Sequence, residues 1–168
     1  TGFARTNFDL WPSFSKAILV LVMFIGASAG STGGGIKVSR ILLLAKTAKQ
    51  EIVKMLNPRR TSAVRMDGHT VEITTIRAAL VFFTLYITIT FISTVIVALD
   101  GFDLVTTFTS VVTCISNVGP GLGEVGPMGN FSAFSDISKL ILSADMLLGR
   151  LEIFPILILF TPSTWRKK

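Results

Sequence analysis

The sequence has few of the side chains on which disulfides, metal centres and enzymatic reactions depend. Cys114 is its only cysteine and His69 its only histidine, so no disulfide can form within the chain. No group of His, Cys and carboxylate residues has metal-ligand spacing, and no nucleophile is paired with a base. We therefore expect no enzymatic activity and no bound cofactor.

Charge is also scarce. Charged residues make up 15% of the chain against 50% hydrophobic residues, and the mean hydropathy is +0.67, a composition typical of integral membrane proteins. The net charge of +6 comes from cations concentrated in residues 37–77 and 166–168. In residues 100–139, by contrast, four of the five charged residues are acidic. This segregation is the positive-inside pattern. It predicts that residues 46–76 and the C-terminus are cytoplasmic, and it argues against a nucleic-acid partner.

Three apolar stretches, residues 17–36, 78–99 and 140–161, are long enough to cross a bilayer at about 1.5 Å per residue. The first contains a run of glycine, serine and threonine at 26–35, and each interior glycine costs a helix about 1 kcal/mol relative to alanine. We therefore predict a broken helix, with an outer half that ends near Ile25 and an inner half from Ile36 to Leu56.

Residues 103–114 form an apolar and hydroxyl-rich segment that is too short to span a membrane, and the glycine-rich residues 115–123 follow it. Irregular backbone at membrane depth is tolerated only where it lines a cavity. The pattern predicts a pore helix and an ion-selectivity filter made of carbonyls, since no acid lies between Thr113 and Leu122. A glycine-rich extracellular turn between two ordinary helices is the alternative.

Two glycine motifs resemble nucleotide-binding loops but lack the required context. Residues 30–37 read Gly-Ser-Thr-Gly-Gly-Gly-Ile-Lys, whereas a phosphate-binding loop needs Gly-Lys followed directly by Ser or Thr. Residues 121–126 match G-x-G-x-x-G, but Pro127 follows where a helix has to begin. Neither motif predicts a nucleotide site.

Arg150 lies near the middle of the third apolar stretch, at a depth where a charge is costly and usually functional. Its neighbours one helical turn away are apolar, so no carboxylate on its own helix can pair with it. Two partners remain open: the hydroxyls and carbonyls of residues 26–35, or an acid outside this sequence. A cation below a filter repels a passing ion, so we predict that Arg150 belongs to a gate.

The order of these segments predicts an all-α integral membrane fold in three parts. Residues 1–56 hold the end of one filter and a broken inner helix, and residues 57–76 form a cytoplasmic connector with a short hairpin across 63–71. Residues 77–168 form a complete repeat. Within it we expect an outer helix at 77–99, a pore helix at 103–114, a filter at 115–123 and an inner helix at 136–162.

Four motifs, at residues 1–3, 30–37, 117–127 and 146–152, together resemble the C-terminal part of the Trk-type potassium uptake proteins, the TrkH family of the Trk/Ktr/HKT superfamily. They read Thr-Gly-Phe, Gly-Ser-Thr-Gly-Gly-Gly-Ile-Lys, Asn-Val-Gly-Pro-Gly-Leu-Gly-Glu-Val-Gly-Pro and Met-Leu-Leu-Gly-Arg-Leu-Glu. The resemblance implies four helix, pore-helix, helix (M1-P-M2) repeats with re-entrant filter loops, arranged pseudo-fourfold around one cation pore. This sequence then supplies the end of the third filter, the third inner helix and the whole fourth repeat.

By the same resemblance, residues of both filters hold K⁺ and a second group forms the gate. The expected K⁺-binding residues are Thr1, Gly2, Asn117, Val118 and Gly119. The expected gate residues are Gly30, Ser31, Thr32, Gly33, Gly34, Gly35 and Arg150.

The resemblance also implies potassium as the transported ion, moved through a channel or by symport with protons or sodium. The expected partners are the lipid bilayer, the N-terminal repeats of the same protein, a second copy in a homodimer, and a cytoplasmic nucleotide-binding regulatory subunit of the TrkA type. The expected location is the bacterial inner membrane. A non-transporting membrane assembly or anchoring subunit, whose glycines serve close helix packing, is the alternative function.

Overall fold

In the computed structural model, the described parts of the chain are residues 4–28, 30–31, 33–57, 64–66 and 68–151. They contain five α-helices and one two-stranded hairpin. Thr1, Gly2, Thr32 and the predicted inner-helix residues beyond 151 lie outside the described residues.

The first two helices flank the predicted interruption. Helix α1 (Ser13–Ile25) begins after Pro12 and ends at Gly26, whose φ of 71° leaves the helical region. Helix α2 (Val38–Leu56) begins after Lys37, which has a positive φ of 72°. The glycine-rich loop, residues 26–37, connects them without helical structure. The inner half therefore resumes two residues later than the sequence predicted.

A short hairpin lies between α2 and the next helix. Strands β1 (Arg65–Met66) and β2 (His69–Thr70) pair in antiparallel fashion. The hairpin packs back on the helices, because the buried Val64 contacts Leu43 and Ala79 and the Lys46 Nζ donates to the Arg65 carbonyl at 3.0 Å. The predicted hairpin is present in the connector.

Helix α3 (Ile73–Val97) is followed by a 3₁₀ turn, Ala98–Asp100, and together they form an apolar run of 28 residues. Among the described residues, this is the one helix long and apolar enough to cross a membrane. It starts four residues before the predicted boundary at 77. Residues 73–76 of the predicted connector, Ile-Thr-Thr-Ile, provide this extra helical turn.

Helix α4 (Leu104–Ile115) is short, and nine of its twelve residues are buried. It starts after Asp103, whose side chain accepts a hydrogen bond from the Val105 amide at 3.2 Å. It continues through Ile115, which the sequence had assigned to the filter, so the irregular segment begins only at Ser116. This correction is one residue long, and Ile115 packs in the core with Phe82 and Tyr86.

Helix α5 (Asp136–Leu151) packs on α3 and α4. The hydrophobic core between these three helices contains Val97, Val111, Leu142 and Phe134. A second cluster, around Phe82, Tyr86 and Ile115, joins Ile36 of the glycine-rich loop to α3 and α4. Helix α4 therefore lies at the centre, where both parts of the chain meet it.

Candidate functional site

One face of α4 carries a row of buried threonines, Thr106, Thr109 and Thr113, each no more than 2% exposed. Their spacing of three and four residues places them on the same side of the helix. The chain returns along this side after α4 ends. We call residues 116–122 the filter segment.

Hydrogen bonds tie the amides of the filter segment to this threonine row. The Thr113 Oγ1 accepts from the Gly119 amide at 3.0 Å, and the Thr113 carbonyl accepts from the Val118 amide at 3.0 Å. The Thr109 Oγ1 accepts from the Leu122 amide at 3.0 Å. These bonds satisfy amides of irregular backbone, of which that of Leu122 is buried, and hold the filter segment against the helix.

The backbone of the filter segment alternates in conformation. Asn117 has a φ of 54° and Gly119 a φ of 114°, whereas Val118 between them has no positive φ. Alternation of left-handed and ordinary residues lets neighbouring carbonyls turn to the same side. Within the described part of the chain, no donor reaches the carbonyl oxygens of these three residues. Their amides bond to α4, whereas their carbonyl oxygens are left available to coordinate a cation.

The base of the filter segment is attached to α5 and α3. The Asn117 Nδ2 donates to the Met146 carbonyl at 3.1 Å, and the Tyr86 hydroxyl and the Ser116 hydroxyl share a hydrogen bond of 2.9 Å. Gly149 permits this approach, because a Cβ at that position would overlap the Ile115 carbonyl. The sequence showed no sign of these long-range contacts.

The glycine-rich loop meets the filter segment at its base. A Cβ on Gly34 would lie 2.7 Å from both the carbonyl carbon and the oxygen of Ser116, and 3.0 Å from the Asn117 Nδ2. Gly26 and Gly35 also approach each other closely, since a Cβ on Gly35 would lie 2.8 Å from the Gly26 Cα. Gly34 of the predicted gate therefore lies directly against Ser116 and Asn117 of the predicted filter.

A cavity of about 540 Å³ lies between these two segments. Gly26, Ala27, Gly33 and Gly34 line one side, and Ser116, Asn117, Val118 and Pro120 line the other. The remaining lining comes from the residues before α1 and from α1 itself. The filter segment and the glycine-rich loop therefore face a common space.

Arg150 is in the last described turn of α5 and its side chain is exposed. Its predicted contact with the glycine-rich loop stays a prediction. Asp145, one and a half turns earlier, is a residue to which the sequence reasoning assigned no role. Its carboxylate is 2% exposed and accepts from the Ser93 hydroxyl at 2.9 Å. Only the packing of α5 against α3 reveals this pair.

At the start of α4, the Asp103 carboxylate caps the helix. Hydrogen bonding from the Thr106 side chain, and then from the backbone amides of Thr106 and Val105, lowers the pKa of this carboxyl below its usual value. A charged carboxylate also interacts favourably with the positive end of the helix dipole. Near neutral pH, the charged Asp103 carboxylate therefore stabilises the first turn of α4.

Comparison with known proteins identifies the family of this chain. The family model described as TrkH, cation transport protein, matches residues 1–167. The chain belongs to the TrkH family. Its fold is accordingly that of the family, a helical membrane transporter built of M1-P-M2 repeats, which confirms the predicted fold class.

Individual relatives give the same result. The chain is 39% identical over 166 residues to the Trk system potassium uptake protein TrkH of Escherichia coli strain K12, and 37% identical over 165 residues to TrkG of the same strain. The alignments cover 99% and 98% of this chain. Each covers 34% of the relative, so the chain spans about a third of the length of these proteins.

The crystal structure of the potassium transporter TrkH from Vibrio parahaemolyticus has a TM-score of 0.86 and 39% sequence identity to this chain. The match covers 98% of this chain and 35% of that structure. Relatives of the family are ion transport proteins and not enzymes, in agreement with the sequence prediction.

Proposed function

We propose that this chain is part of a potassium-selective uptake protein and that Asn117, Val118 and Gly119 contribute one quarter of its selectivity filter. The observation that supports this most directly is the filter segment itself. Its amides are bonded to a buried half-helix while three consecutive carbonyls accept no bond from the described residues. Carbonyl oxygens without fixed negative charge can replace the hydration shell of K⁺, which is larger and more weakly hydrated than Na⁺.

The other three quarters come from outside this fourth repeat. Thr1 and Gly2 contribute the end of the third filter, and the N-terminal repeats of the same protein supply the first two filters and the rest of the third. Four such segments close a pore on a pseudo-fourfold axis. An isolated chain of this length is therefore expected not to conduct.

The gate comprises residues 30–35 and Arg150. The contact of Gly34 with Ser116 and Asn117 supports this assignment, because a loop seated under the filter segment can block or open the cavity there. Arg150 lies on the helix that supports the filter base through Met146. A guanidinium near this path raises the energy of a passing cation and so restricts flux.

The orientation of the protein follows from its charge distribution, and its location and partners follow from its family. Residues 46–76 and the C-terminus are cytoplasmic, since they carry nine of the sixteen Lys and Arg residues of the chain, and the protein lies in the bacterial inner membrane. It works as a homodimer with a TrkA-type cytoplasmic subunit that binds nucleotide. The hairpin packed on α2 and α3 offers an ordered surface on that side.

The filter assignment is tested by Gly119→Ser in the full-length protein. A side chain at a φ of 114° forces the backbone to move. We expect the K⁺ over Na⁺ permeability ratio in proteoliposomes to fall about tenfold, equivalent to about 1.4 kcal/mol of relative ion stabilisation. Gly101→Ser is the matched control, because Gly101 has a φ of 79° and open space around it, away from the filter segment. Equal ratios in Gly119→Ser and wild type contradict the assignment.

The gate assignment is tested by Arg150→Ala. Removal of the cation is expected to raise K⁺ flux severalfold or to make flux independent of the regulatory subunit. Flux at the wild-type level with normal expression and normal regulation contradicts it. Growth of a potassium-uptake-deficient bacterium at low external K⁺, with the complete gene supplied, separates transport from the alternative of a non-transporting assembly subunit.

A further inference from the structure

Asp9 links the two repeats represented in this chain. It lies in the segment that leads from the third filter into α1, yet its Oδ1 accepts a hydrogen bond from the Gly123 amide at 3.0 Å, across 114 residues of sequence. Its Oδ2 lies against Gly126, where a Cβ would overlap that oxygen. Both carboxylate oxygens therefore meet the turn that directly follows the filter segment.

The local backbone orients the Asp9 carboxylate toward Gly123. Asp9 is the central residue of the 3₁₀ turn Phe8–Leu10, and the Asn7 Oδ1 accepts from the Asp9 amide at 3.1 Å. The Trp11 amide closes the turn by donating to the Phe8 carbonyl at 3.1 Å. A side chain on a backbone with these restraints loses little freedom when it binds, so the contact with Gly123 is pre-organised.

The turn at Gly123 is held from two sides. Its neighbours bond to the pore helix, with the Leu122 amide donating to the Thr109 Oγ1 at 3.0 Å and the Glu124 amide to the Thr106 Oγ1 at 3.3 Å. The Gly123 amide between them bonds to Asp9 instead. The turn is thus fixed to its own repeat by α4 and to the preceding repeat by one carboxylate.

We propose that Asp9 is a positioning residue for ion selectivity: its carboxylate sets the placement of the fourth filter segment relative to the segment that follows the third filter. This rests on the proposed filter. Selectivity among carbonyl ligands depends on how many oxygens converge and how closely. A contact that joins consecutive repeats therefore controls a distance that neither repeat controls alone.

The experiment compares Asp9→Ala, Asp9→Asn and Gly126→Ala in the full-length protein. Asp9→Ala removes the acceptor, and Gly126→Ala places a methyl group where the Asp9 carboxylate lies. For both we expect the K⁺ over Na⁺ permeability ratio to fall about tenfold, the scale of a lost hydrogen bond to a charged group. Asp9→Asn retains an acceptor oxygen and is expected to recover most of the ratio.

Asp136→Ala is the control for charge, because it also removes one carboxylate and this side chain is fully exposed. Its permeability ratio is expected to match wild type. An equal fall in Asp136→Ala, or a wild-type ratio in Asp9→Ala, overturns the proposal. A lower thermal stability of Asp9→Ala with an unchanged ratio also overturns it, since the role is then only structural.

Gly119→Ser, measured in parallel, separates this proposal from the filter assignment. If Gly119→Ser lowers the ratio and Asp9→Ala does not, the filter stands and the positioning role of Asp9 is wrong. If neither variant changes the ratio, both are wrong. If Asp9→Ala lowers it and Gly119→Ser does not, the filter assignment is wrong, and so is the claim that Asp9 acts through it.

Discussion

The filter segment and the glycine-rich loop are both irregular, both rich in glycine, and in contact with each other, but they are held in different ways. In the filter segment, side-chain hydroxyls of α4 accept from the backbone amides of Gly119 and Leu122. In the loop, backbone amides donate to backbone carbonyls of the last turn of α1: the Ile36 amide donates to the Phe24 carbonyl at 3.2 Å and the Lys37 amide to the Ile25 carbonyl at 3.0 Å.

This difference concerns how firmly each segment is held. Each hydroxyl bond of the filter segment fixes backbone against a buried helix, so displacement costs several hydrogen bonds together. The loop bonds to α1 at its ends, whereas Gly30 and Ser31 in its middle are exposed and a Cβ on Gly30 would meet nothing within 4 Å. A selective filter needs fixed oxygens, whereas a gate needs two positions of similar energy.

The largest effect is expected where the two regions touch. Gly34→Ala places a methyl group 2.7 Å from the Ser116 carbonyl atoms, which are backbone and cannot rotate away. We expect a loss of stability of about 3 kcal/mol and of most K⁺ uptake, because loop and filter base are forced apart. Denaturant unfolding of the purified full-length protein and uptake assays measure both.

Gly30→Ala is the matched control for Gly34→Ala. Gly30 has a φ of 81°, but a Cβ added there would meet no atom within 4 Å. Only backbone strain of about 1 kcal/mol is therefore expected. Equal losses in the two variants show that glycine conformation, and not contact with the filter, governs the loop.

A smaller loss is expected when one hydroxyl of the threonine row is removed. Thr109→Val keeps the shape of the side chain but leaves the buried Leu122 amide without its acceptor. This costs about 2 kcal/mol and lowers the K⁺ over Na⁺ ratio. Thr88→Val, which removes an exposed hydroxyl that only donates to the Thr84 carbonyl, is expected to stay within about 0.5 kcal/mol of wild type. If Thr109→Val changes neither the stability nor the K⁺ over Na⁺ ratio, hydroxyls of α4 do not hold the filter segment.

Removal of the α4 cap tests how far the helix itself is fixed. Asp103→Ala is expected to destabilise the protein by about 1 kcal/mol near neutral pH. The folded-state pKa of Asp103 is lowered, so the contribution is present above the unfolded pKa of about 4 and is lost as pH falls through the folded pKa. Unfolding of wild type and variant between pH 7 and pH 3 measures it. If the difference in unfolding free energy between wild type and Asp103→Ala does not shrink at low pH, the capping role is contradicted.

The smallest effect is expected from the side-chain hydrogen bond of Ser31 in the loop. The Ser31 hydroxyl accepts from the Gly33 amide at 3.2 Å in an exposed position, where water can replace it. Ser31→Ala is therefore expected to change stability by less than about 0.5 kcal/mol. A loss as large as that of Thr109→Val removes the distinction between the two regions.

Much of the fold could be predicted because the deciding signals are local. The end of α1 at Ile25 follows from the glycine run after it, and the start of α4 follows from Asp103 as a cap. The end of α4 was missed by one residue, since Ile115 continues the helix for packing reasons that its neighbours in sequence do not express. Asp145 was passed over because its burial depends on α3.

The sequence by itself determined the length of each apolar segment, the break in the first of them, the half-helix with its glycine-rich return, and the side of the membrane expected for each loop. These depend on composition, helix length and glycine conformation, which neighbours along the chain decide. The tertiary structure alone decided that Gly34 lies under Ser116, that Asn117 bonds to Met146, and that Asp9 holds Gly123. Such pairs join residues far apart in sequence, and their geometry exists only after the helices have packed.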